Sequence, residues 1–153
     1  MNEVDKNKAL VRQLTEEIWN RAELDNVAKY YSEDFISDYA PYAPPRKGLA
    51  GVRAMVEGAH KTCSDYHEEI IDLIGEGDRV MVRLMLNGTQ TGNWGPIPPT
   101  GKKVSYQEVV VLTFRDGKVV HQRGLVDNLH ALRQLGLAAT PKPDAGDADE
   151  RNT

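Results

Sequence analysis

The spacing of apolar residues changes once along the chain, near Asp65, and that change restricts the fold more than any other feature. Before it the spacing is helical. Leu10, Val11, Leu14 and Ile18 recur within Asp5 to Asn20, with Lys8, Arg12, Glu16 and Glu17 largely on the other side, which predicts an amphipathic first helix. Asp25 can cap a shorter second helix carrying Val27, Tyr30 and Tyr31, after which Phe35-Ile36 reads as a strand. Pro41, Pro44, Pro45 and Gly48 make the next segment a loop, and Val52, Met55, Val56, Ala59 and Cys63 mark a third helix. Beyond Asp65 the period is two. Ile70 to Ile74 and Arg79 to Asn87 flank the turn Gly75-Glu76-Gly77-Asp78, while Val104 to Phe114 and Val119 to Val126 flank a second turn, whose Asp116-Gly117 supplies the positive backbone angles of a tight hairpin. Asp127 can cap a last helix through Leu129, Leu132 and Leu135, with Gly136 as its stop. Helices followed by antiparallel strands define an α+β fold, and no strand-helix-strand repeat supports a doubly wound sheet.

A chain of 153 residues suits one ordinary domain, expected over residues 1–138. Residues 139–153 contain Pro141, Pro143, four acidic residues and no large apolar side chain, so an acidic, disordered tail is expected there. The net charge of −4, without any run of Lys and Arg, gives no phosphate track and excludes a nucleic-acid partner. Cys63 is the single cysteine and no Cys/His pattern has zinc spacing, so neither an internal disulfide nor a metal site is expected. Residues 1–20 are charged throughout, and no stretch approaches the roughly 18–20 apolar residues of a membrane span, so the expected location is cytoplasmic and away from membranes. Glycine-rich phosphate loops, paired-histidine zinc helices and Gly-x-Ser-x-Gly elbows are all missing from the sequence.

The run Gly92-Asn93-Trp94-Gly95-Pro96-Ile97-Pro98-Pro99-Thr100-Gly101-Lys102-Lys103-Val104 resembles the turn before the long strand of SnoaL-like polyketide cyclases. The likeness continues through Phe114-Arg115-Asp116-Gly117-Lys118-Val119-Val120, Val126-Asp127 and Leu132-Arg133-Gln134-Leu135-Gly136. Earlier segments are also similar, including Asn7 to Val11, Ile18-Trp19-Asn20, Asp34-Phe35 and the helix beginning near Gly48. This resemblance implies a cone-shaped nuclear transport factor 2-like fold, in which N-terminal helices pack on a strongly bent, mostly antiparallel sheet. It also implies a ligand pocket, with cofactor-independent aldol closure of a polycyclic ester as one family activity. Isomerases, dehydratases, epoxide hydrolases and non-catalytic subunits share the scaffold. In the aldol cyclases the acid/base residue is an aspartate at the position of Gly124, and a pocket histidine falls at Val110.

Alternation along the strand after Gly101 puts Tyr106, Glu108, Val110 and Leu112 on one face and Ser105, Gln107, Val109, Val111 and Thr113 on the other. Both faces are partly apolar and both need cover, which suggests a homodimer. Comparison with the family turns Tyr106, Glu108 and Val110 toward the pocket, with Gln122, Gly124 and Val126 of the next strand. Glu108 is the leading acid/base candidate, since apolar walls would raise its pKa toward neutrality. The alternative is a rim carboxylate paired with Arg123 or a lysine. Asp38, with Tyr39 beside it, is a second candidate or else a loop-start residue bonded to nearby amides. Gln122 and Tyr106 can donate hydrogen bonds to a substrate oxygen. Trp19, Phe35, Met55 and Trp94 can shape an apolar cavity, or simply fill the core. Asp127 reads as a helix cap, and the four histidines lack recognisable partners. Two functions are therefore expected: a cofactor-free cyclase or isomerase moving protons on an apolar, oxygenated, polyketide-like molecule, or a non-catalytic ligand-binding or dimeric scaffold.

Overall fold

The two hairpins expected from the period-two region form four neighbouring strands of a mixed, curved five-stranded sheet, seen here in a computed structural model that describes residues 1–139. The expected tail lies outside the described residues beyond Ala139. The strands are β1 (Tyr31–Asp38), β2 (His67–Glu76), β3 (Arg79–Thr89), β4 (Lys103–Arg115) and β5 (Lys118–Val126). Their spatial order is β1-β5-β4-β3-β2, with every pairing antiparallel except β1 against β5. Asp116 and Gly117 take φ of 52° and 74°, as the hairpin between β4 and β5 requires.

The helices are α1 (Glu3–Leu14), α2 (Val27–Tyr30), α3 (Gly48–Thr62) and α4 (Asn128–Gln134). Asn2 caps α1 by accepting the Asp5 amide at 2.8 Å, and Asp127 caps α4 by accepting the His130 amide at 3.1 Å. The first helix does not run to Asn20 in α form. It widens into a π-helical stretch over Thr15–Asn20, closed by Arg21 N–H bonding Glu16 carbonyl at 3.0 Å. That stretch ends with Asn20 against β2, where its amide donates to the Glu68 carbonyl at 3.1 Å and its oxygen accepts the Glu68 N–H at 2.7 Å.

Other boundaries also differ from the pattern-based reading, and Tyr31, expected on the second helix, opens β1. Phe35-Ile36 is the centre of an eight-residue strand, because the polar residues around it face solvent along the sheet edge while Tyr31, Phe35 and Ser37 are buried. The second strand starts at His67, three positions before its apolar run. A register shift between Ile70 and Asp72 interrupts its alternation. The core lies between the concave sheet face and the helices, with Val11, Leu14 and Ile18 packed over Val80, Val82 and Leu112.

The proline-rich turn owes its shape to one buried amide. Gln90 is fully buried and donates to the carbonyls of Gly92 (3.2 Å) and Pro98 (3.1 Å), while its oxygen accepts Thr100 N–H (3.1 Å) and Thr100 Oγ1 (2.6 Å). Pro98 and Pro99 cannot donate, so the side chain replaces ladder bonds that this segment lacks. The loop also docks on the end of α3, where Thr91 and Gly92 amides both bond the Thr62 carbonyl, and a β-carbon on Gly92 would collide with the Lys61 carbonyl. Replacing Gln90 by Leu strands these groups and is expected to cost on the order of 3 kcal/mol. Urea unfolding measures this, and a loss below about 0.5 kcal/mol would show that the amide does not organise the turn.

Candidate active site

Adjacent antiparallel strands place Glu108 opposite Val126, and Val110 opposite Gly124. The parallel edge pairing then decides what covers Gly124. Because Asp38 pairs with Arg123, the next residue, Tyr39, passes over Gly124 and its ring lies against the glycine. A β-carbon at Gly124 would overlap the Tyr39 ring and sit 2.8 Å from its Oη. Here the space that a side chain on β5 would fill belongs to a phenol arriving from β1.

That phenol joins two buried polar residues. Tyr39 Oη donates to Glu108 Oε1 at 2.6 Å, and Gln122 Nε2 donates to Tyr39 Oη at 2.6 Å. Glu108 is 7 % exposed, and burial raises its pKa to about 7, although the Tyr39 hydrogen bond acts the other way. Burial, followed by the Glu108 charge, holds the Tyr39 pKa well above its ordinary value, so the phenol stays a neutral donor. Glu108 is therefore not paired with Arg123 or a lysine: Arg123 lies on the outer side, bonded to Asp38 at 3.2 Å.

Glu108 and Trp19 face two cavities. One, of about 390 Å³, opens outward between Tyr39, Tyr42, Arg46, Met55, Trp94 and Val126. The other, of about 20 Å³, is deeper and has Glu68, Gln122 and Tyr31 among its walls, together with apolar side chains of α1 and β3. Glu68 is 5 % exposed, accepts Tyr66 Oη at 2.6 Å, and has a pKa raised to about 8 by burial first and then by Glu108. The sequence reading missed it because the apolar run began at Ile70, although Glu68 shares alternation with Ile70 once the strand is extended.

The other sequence candidates fall in several places. Val110 and Gln122 line the deep chamber, Met55 and Trp94 line the outer cavity, and Tyr106 stacks on Trp94 at 5.9 Å beside a neighbouring groove. Phe35 is core, packed edge-on against Tyr31 at 5.3 Å. Asp38 is not brought to the cavity: it accepts the Ala40 amide at 3.2 Å and pairs with Arg123, the loop-start role. His60 contacts the Trp19 carbonyl at 2.7 Å, and because a carbonyl only accepts, its Nε2 carries the proton. Cys63 is buried, and desolvation pushes its thiol pKa upward. Among the described residues no cluster of His, Cys, Asp and Glu is arranged to hold a metal ion, and no helix is long and apolar enough to cross a membrane.

Helices closing the concave side of such a sheet over a carboxyl-bearing cavity define an NTF2-like ligand-cone protein. The sequence model of the SnoaL-like polyketide cyclases matches residues 9–135, and the chain belongs to that family. It is 30 % identical over 129 residues to aklanonic acid methyl ester cyclase of Streptomyces peucetius, covering 83 % of this chain and 88 % of the relative. The Streptomyces galilaeus cyclase of the same name is also 30 % identical, over 84 % of this chain and 89 % of its own. Among solved structures, AclR of Streptomyces galilaeus, a candidate hydroxylase, superposes with a TM-score of 0.81 at 27 % identity, covering 95 % of each chain. A candidate SnoaL-like polyketide cyclase from Jannaschia sp. CCS1 has the same fold, with a TM-score of 0.81 at 22 % identity over 91 % of this chain and 98 % of its own.

The Tyr39–Gly124 contact generates a double-mutant test. Gly124→Ala is expected to displace the ring and cost about 1–3 kcal/mol by overpacking. In a Tyr39→Ala background the same change should be nearly free, which denaturation of the four proteins will show. Equal costs in both backgrounds would mean that the ring does not lie over Gly124.

Proposed function

We propose that the protein is a cofactor-free cyclase in which Glu108 moves a proton on an apolar, oxygenated, polyketide-like ester bound in the outer cavity. The observation that carries this reading is the buried Gln122–Tyr39–Glu108 hydrogen-bond chain, which opens on that cavity through Tyr39 and Glu108. A carboxyl with a pKa near 7 suits proton transfer at neutral pH, because it is basic enough to accept a proton and acidic enough to return it.

In an intramolecular aldol closure the ionised Glu108 removes a proton from the carbon between two carbonyl groups. The electron pair of that C–H bond forms the new C–C bond to a carbonyl carbon in the same molecule. The carbonyl π pair becomes an alkoxide, which takes the proton back from Glu108, so the reaction is an isomerisation with no net loss of atoms. Tyr39 lies where its neutral phenol can turn from the newly protonated Glu108 to a developing enolate oxygen. Trp19, Met55 and Trp94 supply apolar walls that hold the reacting ends together.

The two curated relatives support aklanonic acid methyl ester as the first compound to test. Purified protein is expected to cyclise this ester, or a related polyketide ester, without added metal. Glu108→Gln should lower kcat at least about 100-fold with little change in binding. Undiminished turnover by that variant, or turnover only after metal addition, would overturn the mechanism. Tight binding without turnover by the unaltered protein would favour the scaffold reading.

We also assign the outer sheet face to a homodimer contact. Met81 pairs with Val111, and Val109 with Leu125, leaving Leu125 68 % exposed beside half-buried valines and methionines. Sedimentation should show a dimer that Leu125→Arg shifts to monomer. A monomer at micromolar concentration before the change would defeat this assignment.

A further inference from the structure

The deep chamber of about 20 Å³ has a composition unlike the rest of the core. Two carboxyl side chains, Glu68 and Glu108, line it from β2 and β4, and among the described residues no Lys or Arg is in its walls. Gln122 also lines it, and the Gln122 Oε1 atom is buried without a hydrogen-bond partner among the described residues, because the amide nitrogen is turned to Tyr39. The volume accommodates one water molecule, which needs about 10–15 Å³ and polar partners on several sides.

The ionisable and polar surroundings are fully specified by the packing. Tyr31 of β1 accepts Trp19 Nε1–H at 2.9 Å, Tyr39 donates to Glu108, and Tyr66 donates to Glu68. β3 contributes apolar Val82 and Leu84, β5 contributes Gln122, and the α1 side contributes Thr15 and Trp19. His60 of α3 is engaged with the Trp19 carbonyl and meets Tyr66 edge-on at 5.5 Å, while Tyr106 lies outward against Trp94. No cation from any of these elements balances a doubly ionised pair. Burial and a second carboxyl facing the same chamber both disfavour ionising the two groups together.

We propose that Glu68 and Glu108 share a single proton across one water molecule held in the deep chamber, with Gln122 Oε1 as the third partner of that water. The water donates to Gln122 and to the ionised carboxylate, and accepts from the protonated carboxyl. Glu68 is then a positioning residue. It touches no part of the outer cavity, yet it keeps Glu108 in the half-protonated pair that can act as base or acid at one pH. The catalytic meaning of this arrangement rests on Glu108 being the base, whereas the shared proton does not.

Carbon-13 NMR of the full chain, with labelled glutamate carboxyls, tests the sharing without any substrate. In the unaltered protein the two carboxyls should lose their protons in two steps, both above the ordinary glutamate range. In Glu68→Gln and in Glu108→Gln the higher step should disappear, and the remaining carboxyl should titrate at least about one pH unit below it. A merely structural Glu68 would leave the Glu108 titration and the higher step unlinked. Persistence of the higher step at its original pH in either folded variant would overturn the proposal. A crystal structure of the unaltered protein should show the water bridging Glu68, Glu108 and Gln122 Oε1, and a dry chamber would overturn it equally. Coupled titration with no turnover by the unaltered protein would refute the cyclase reading and leave the proton pair intact.

Discussion

A carboxyl group leaves water only when the protein replaces its hydration, and in this fold the replacement at Glu108 comes from Tyr39. One 2.6 Å hydrogen bond from a neutral phenol takes the place that a cation or several amides would otherwise fill. Everything needed for that bond lies far apart in the chain. The long β4 strand presents Glu108 inward, Gly124 on β5 leaves room for a ring, and the parallel edge strand β1 delivers Tyr39 into that room. Gln122 then fixes the phenol oxygen from the other side. Altering any of these parts exposes the energetic problem of a buried carboxyl.

The exchange at Gly124 also changes how family membership should be interpreted. The resemblance assigns an aspartate to this position in aldol cyclases, and its replacement by glycine suggests lost chemistry when considered alone. The glycine is instead the complement of Tyr39. A neutral phenol occupies the space beside it, arriving from the end of β1 and bonded to a carboxyl on β4.

Much of the fold could be read from the sequence because its signals are local. Hairpin turns such as Asp116-Gly117, caps such as Asp127, and strict alternation along Val104 to Phe114 depend on residues close together in sequence. Glu108 stood out for the same reason, as a charge on an apolar face. Tyr39 was legible only as a neighbour of Asp38, since its role depends on a parallel pairing between segments more than eighty residues apart. Glu68 escaped notice because its strand starts in polar residues and is held there by Asn20, whose side chain bonds both backbone groups of Glu68. Asp38 kept two readings open because a carboxylate beside the pocket and one bonded to the Ala40 amide and outward to Arg123 look alike in one dimension.

The origin of the phenol has a mechanical consequence. Tyr39 is the first residue beyond β1, and the segment that follows it contributes Tyr42, Ala43, Pro44 and Arg46 to the wall of the outer cavity. A hydrogen-bond donor rooted in the middle of a strand would be indifferent to what happens at the entrance. Here the rim of the cavity and the hydrogen-bond donor to Glu108 are one piece of chain, so displacing that segment displaces Tyr39 from Glu108. The cavity wall and the bond that satisfies the buried carboxyl are therefore one mechanical unit.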